Sequence, residues 1–112
     1  MQHEARKYLF DIVQAANDIQ EFTHGLTSAE YIEDVKTQAA VERKFEIIGE
    51  ALNRVRRLDR GLLAAIPLHE RIIGFRNVIS HGYDVVAPEI VWDIIQNHLP
   101  ALKRVVEDLL DR

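Results

Sequence analysis

Val41-Glu42-Arg43-Lys44-Phe45-Glu46-Ile47-Ile48-Gly49-Glu50-Ala51-Leu52-Asn53-Arg54-Val55 is the stretch that decides the fold class of this chain. Val41, Phe45, Ile48, Leu52 and Val55 recur at alternating steps of four and three, the seam of a helix packed lengthwise against partners. Ala40, Ile47, Ala51 and Leu58 widen that stripe. A helix apolar over so wide an arc touches two neighbours at once, as in a bundle, while Glu42, Arg43, Glu46, Glu50 and Arg57 face outward or sideways.

Working outward toward the amino terminus, Ala5, Tyr8, Leu9, Ile12, Ala16 and Ile19 share one side of a helix predicted over about residues 3 to 23. Gly25 ends it. Thr27-Ser28-Ala29-Glu30 then has the form of a capping box, so a short helix over about 27 to 34 follows. Toward the carboxyl terminus, Pro67 suits a helix start, with Leu68 to His81 as the helix and Gly82 as its left-handed terminal residue. Pro88 opens the last helix, whose stripe is Val91, Ile95, Leu102, Val105 and Leu109. Pro100 should bend its axis. No segment alternates as a strand does. The expectation is an all-α bundle of four to five helices in one domain spanning 1–112.

Composition sets outer bounds. A hydrophobic content of 47% with 29% charged residues is ordinary for a globular chain. No apolar run approaches the roughly 20 residues needed to cross a bilayer, and the amino terminus lacks the order of a signal peptide. The expected location is therefore cytoplasmic, with no membrane partner. With no cysteine there is no disulfide, thiol nucleophile or Cys-based zinc site. A net charge of −4 argues against a broad electrostatic grip on nucleic acid and leaves room only for a few local phosphate contacts.

The chemistry concentrates in Arg76-Asn77-Val78-Ile79-Ser80-His81-Gly82-Tyr83, a guanidinium, an imidazole and a phenol beside a helix-ending glycine. Projected as a helix, Ile72, Phe75, Val78 and Ile79 fill a core arc. His69, Glu70, Arg76, Asn77, Ser80 and His81 lie within about 140° on the other side. Spacing alone is weak evidence, since an Arg near a helix-terminal His is usually a solvated face matched to the macrodipole. Gly74 and Gly82, however, offer places for close approach, and Ile73 puts an apolar contact point on the polar side, which suggests a partner.

Cutting RNA without a metal needs a base for the ribose 2′-hydroxyl, an acid for the leaving 5′-oxygen and positive charge at the phosphate. His81 suits either proton role and the Arg76 fork suits the phosphate oxygens. Asn77 and Ser80 would orient them. One chain supplies one suitable histidine, so two copies meeting about a two-fold axis would divide the acid and base roles in a homodimeric cleft. Other candidates read as structural. His98 falls on an apolar stripe and reads as a hydrogen-bonded core or interface residue, His3 and His24 as surface residues, and His69 as supporting or solvated. The histidine spacings offer no metal site, and no cofactor is expected. Arg54, Arg56, Arg57 and Arg60 could bind the phosphates of RNA but read first as a solvated helix end matched to the macrodipole. Asp34, Glu46 and Glu50 read as members of structural salt bridges.

Arg76, His81 and Tyr83 form an Arg-x4-His-x-Tyr pattern that resembles the signature of HepT-like toxins in the HEPN superfamily. The likeness extends to Asp34 through Ala51, including Lys36-Thr37-Gln38 and Glu46-Ile47-Ile48-Gly49-Glu50, and to Glu89-Ile90-Val91-Trp92 with Leu99-Pro100. It implies an up-and-down antiparallel bundle, a homodimer and a metal-independent ribonuclease acting on RNA, not DNA. It also implies an antitoxin partner, a minimal nucleotidyltransferase of the MntA type, that silences the toxin by transferring AMP from ATP onto Tyr83. The competing expectation is a non-catalytic helical adaptor that presents substrate or nucleotide to a partner nucleotidyltransferase through Arg76 and Tyr83.

Overall fold

The computed structural model describes residues 1–81 and 87–112, with side chains described for 1–76 and 87–112. Its helices are α1 (His3–Thr23), α2 (Ser28–Glu33), α3 (Val35–Leu58), α4 (Arg60–Ala64), α5 (His69–His81), α6 (Pro88–Asn97) and α7 (Leu99–Leu110). Among the described residues there is no strand. Gly82 and Tyr83 lie outside them.

Local chemistry fixes the boundaries. α1 stops where Gly25 adopts φ +80 and Leu26 N–H closes a turn onto the Thr23 carbonyl at 3.1 Å, a conformation costly for any residue with a Cβ. The Thr27 hydroxyl then accepts from Glu30 N–H (3.2 Å) while the Glu30 carboxylate accepts from Thr27 N–H (3.0 Å), the reciprocal cap that starts α2. Asp34 caps α3 by accepting from Thr37 N–H (3.0 Å) and the Thr37 hydroxyl (2.6 Å); these bonds hold its carboxyl below the usual range. The Gln38 amide turns back and donates to the Tyr31 and Ile32 carbonyls, both at 2.8 Å, satisfying the end of α2.

Long-range pairs set the directions. Arg6 on α1 donates to the Leu110 carbonyl of α7 (2.7 Å), and Lys103 near the start of α7 donates to Gln20 near the end of α1 (3.1 Å), so these helices are antiparallel. Lys44 of α3 pairs with Asp18 of α1 at 3.0 Å, whereas Lys7 and Tyr8 lie beside Glu50 and Arg54, so α3 runs back along α1. α5 returns along α3, with Arg56 near His69 and Phe45 near Phe75. The result is an up-and-down bundle. Leu9, Ile12, Ile19, Ile48, Leu52, Val55, Ile72, Ile94, Leu99, Leu102 and Val106 are all 0% exposed. Each such aliphatic side chain contributes about 1.5–3 kcal/mol by leaving water.

Four readings of the sequence change. Pro100 breaks the last helix instead of bending it: His98 leaves the helical region at φ −129, ψ −38, and α7 restarts with Leu102 N–H on the His98 carbonyl. Pro100 then occupies an early position of α7, where its missing N–H needs no acceptor. Within α7, Leu102 and Leu109 are buried as the stripe requires, but the position between them that is fully buried is Val106, with Val105 only partly buried against the same core. His98 is no core residue. Its side chain is 41% exposed, with Nε2 3.6 Å from Asp93 Oδ2. Ile73 is 7% exposed and belongs to the core, in one apolar cluster with Leu63 and Ile66, not to a partner-facing surface.

Candidate active site

α5 carries the motif, and its placement is decided by a glycine on α3. A Cβ built on Gly49 would lie 2.4 Å from Arg76 Cβ, 3.0 Å from Arg76 Cγ and 3.2 Å from the Ile72 carbonyl. α5 is thus seated in a notch on α3 that a residue with any side chain would fill. Phe45 and Phe75 meet edge to face next to it, ring centres 5.9 Å apart, and lock the register of the two helices.

From that notch the Arg76 guanidinium reaches Glu50, with Nη2 3.0 Å from Oε2. The other oxygen of the same carboxylate accepts from Arg54 Nε at 3.0 Å. Glu50 is therefore a pivot between two guanidiniums. The Arg54 hydrogen bond, with the charges of Arg76, Arg54 and Arg57, holds the Glu50 carboxyl below the usual carboxylate range against an opposing effect of burial. The Glu50 bond in turn raises the Arg54 pKa. The Arg76 side chain remains 32% exposed, enough for a phosphate to approach a fork whose orientation is restrained.

Asn77, Ser80 and His81 continue α5, with His81 its last residue; their side chains lie outside the described residues, as does Tyr83. Among the described residues, nothing lies within 4 Å of a Cβ added at Gly74. His69 closes the start of α5, its Nδ1 2.8 Å from the Ile66 carbonyl, beside Leu68 at φ +64. His3 and His24 are exposed.

The acids behave as structural partners: Asp34 caps α3, Glu46 pairs with Arg43, and Glu50 pairs with Arg54 and Arg76. Among the described residues no cluster of His, Asp and Glu could hold a metal ion, and no helix is long and apolar enough to cross a membrane. Sequence reasoning missed the attachment of Arg76 to Glu50. Its available signal was Gly49, a helix-weakening residue in the middle of an otherwise regular apolar seam.

A family model for ribonuclease HepT-like proteins matches residues 12–109. The chain belongs to the ribonuclease HepT-like family. Among the relatives of this HepT-like ribonuclease, a Thermococcus cleftensis protein provisionally named ribonuclease HepT is 34% identical over 97% of this chain and 98% of its own length. Two Methanocaldococcus jannaschii proteins, provisionally named as RNases, are each 33% identical. They cover 93% and 96% of this chain, and 94% and 88% of their own lengths. No solved structure matches it.

Proposed function

We propose that this HepT-like ribonuclease is the toxin of a toxin–antitoxin pair and cuts RNA without a metal ion, in a cleft shared by two copies of the chain. The observation that carries this reading is the Arg76 fork, held by Glu50 over the Gly49 notch, partly open to solvent and five residues ahead of His81 on one helix. In the proposed reaction Arg76 holds non-bridging phosphate oxygens. His81 of one copy takes the proton of the ribose 2′-hydroxyl, whose oxygen attacks phosphorus. The phosphorus bond to the 5′-oxygen breaks, and protonated His81 of the second copy gives that oxygen its proton, leaving a cyclic 2′,3′-phosphate and a 5′-hydroxyl. Asn77 and Ser80 orient the imidazole and phosphate.

Control is assigned to Tyr83, two residues beyond His81. A minimal nucleotidyltransferase antitoxin of the MntA type would transfer AMP from ATP to its phenol, placing negative charge where RNA must bind. The catalytic test is labelled RNA in the presence of a chelator. Wild type should cut, and His81→Ala should lose about 10²–10⁴-fold. Equal cutting by both, or none by either, would instead indicate the non-catalytic adaptor. A strictly monomeric wild type that still cuts would remove the shared cleft. Mixing with the nucleotidyltransferase and ATP should add the mass of AMP to wild type and none to Tyr83→Phe; no gain on wild type ends the control proposal.

A further inference from the structure

Beside the Arg76 clamp, α1 and α3 leave a groove of about 320 Å³ lined by Lys7, Tyr8, Asp11, Ile47, Ala51 and the Glu50–Arg54 pair. Its walls differ in chemistry. Ile47 and Ala51 give an apolar floor, Tyr8 contributes a half-buried ring with its phenol alongside Arg54, and the Lys7 ammonium lies 5.4 Å from the centre of that ring. Lys7 is held only loosely, at 3.9 Å from Asp11, and its side chain is 70% exposed. The groove is also continuous with the clamp. One carboxylate, that of Glu50, binds Arg54 through one oxygen and Arg76 through the other, each at 3.0 Å.

We infer that this groove is a single-stranded RNA subsite, receiving the nucleotide next to the scissile bond, with its phosphate on Arg54 and Lys7 and its base on the Tyr8 ring above Ile47 and Ala51. The inference rests on the proposed RNA chemistry at Arg76 but adds a second grip that the motif does not contain. Two guanidiniums bound to the two oxygens of one carboxylate, each at 3.0 Å, set a second cation beside the one proposed for the scissile phosphate. Cations that track the backbone beside an aromatic platform are what sequence-tolerant single-strand binding requires. Asp11 and Glu50 keep the groove nearly neutral, so it holds a strand only at short range. That fits a chain of net charge −4, in which long-range attraction of RNA is weak and local contacts must supply the grip.

The test uses the full chain and an RNA oligonucleotide made uncleavable by 2′-O-methyl groups, with affinity read by fluorescence anisotropy over a series of salt concentrations. Arg54→Gln should weaken binding about fivefold or more and reduce the slope of log affinity against log salt by about 1. Tyr8→Leu should weaken binding by about fivefold or more through loss of the stacking face, while Tyr8→Phe, which keeps the ring, stays within about twofold of wild type. Circular dichroism confirms that each variant is folded. Unchanged affinity and salt slope in Arg54→Gln, or equal loss in Tyr8→Leu and Tyr8→Phe, overturns the subsite. Because the oligonucleotide cannot be cut, this result is independent of cleavage: a wild type that binds as described but never cuts RNA would sink the catalytic reading and leave the subsite standing.

Discussion

Gly49→Ala is the substitution whose outcome the structure constrains most closely. The added methyl would sit 2.4 Å from Arg76 Cβ and 3.2 Å from the Ile72 carbonyl. Non-bonded carbons settle at roughly 3.5–4.0 Å, so α3 and α5 must part by about 1 Å. Neither neighbour can swing aside, since one atom is fixed to the Arg76 backbone and the other is backbone itself. The cost therefore falls near the top of the usual overpacking range, about 3 kcal/mol. Replacing a helical glycine by alanine returns about 1 kcal/mol. The net loss is about 2 kcal/mol, seen as a fall of roughly 8 °C in Tm by circular dichroism. Shifting Arg76 by about 1 Å should also lower RNA cleavage by about 100-fold. Gly74→Ala is the internal control: with no described residue within 4 Å of its methyl, it should gain about 0.5–1 kcal/mol from helix propensity. If Gly49→Ala melts at or above wild type, as Gly74→Ala should, the notch does not set the distance between these helices.

Other outcomes follow from the same contacts. Arg76→Lys keeps the charge but loses the planar fork, and RNA cleavage should fall at least about tenfold with Tm nearly unchanged; full activity would show that charge alone suffices. Phe45→Ala removes a 1%-exposed ring that packs on Phe75 and should cost about 3–5 kcal/mol in urea unfolding. A loss below about 1 kcal/mol would mean that the α3–α5 register is held elsewhere. Glu50 has a depressed folded-state pKa, so its contribution is present above the unfolded value near 4.3 and is lost as pH falls through the lower folded value. Urea midpoints of Glu50→Gln should accordingly vary less with pH than wild type between about pH 5 and 3. Parallel profiles would refute the pivot. Thr27→Ala should lose about 1 kcal/mol with the α2 capping box, measured by thermal melting.

Much of the fold was legible because its signals are local. The stripe on α1 and the Thr27–Glu30 cap give boundaries within a residue or so of those observed, since periodicity and side-chain capping act over one or two turns. The Val41–Val55 seam is buried throughout for the same reason. What failed depended on distant partners. Ile73 looks polar-facing on a wheel drawn for α5 alone, and only its place in a core built from several helices, with Leu63 and Ile66 among the members, shows it buried. α4 itself escaped notice, being a five-residue helix started by the Asp59 carboxylate accepting from Leu62 N–H. His98 looked apolar-facing because the stripe was drawn unbroken through Pro100, whereas His98 itself falls in the break between α6 and α7. At the candidate site Arg76 could be nominated from its spacing to His81, but its carboxylate partner is 26 positions earlier in the chain, and the one trace of their meeting in the sequence is Gly49.

The Tyr31–Trp92 contact has a practical consequence. The two rings lie 5.2 Å apart, tilted by 32°, and join α2 to α6. Trp92 is the chain's sole indole, half-buried and six residues past the end of the 82–86 segment that includes Tyr83. Its emission is thereby an intrinsic optical gauge of that end of the bundle. Loosening of α2 from α6 should register as a red shift without any attached dye, in the same cuvette in which RNA cleavage is followed.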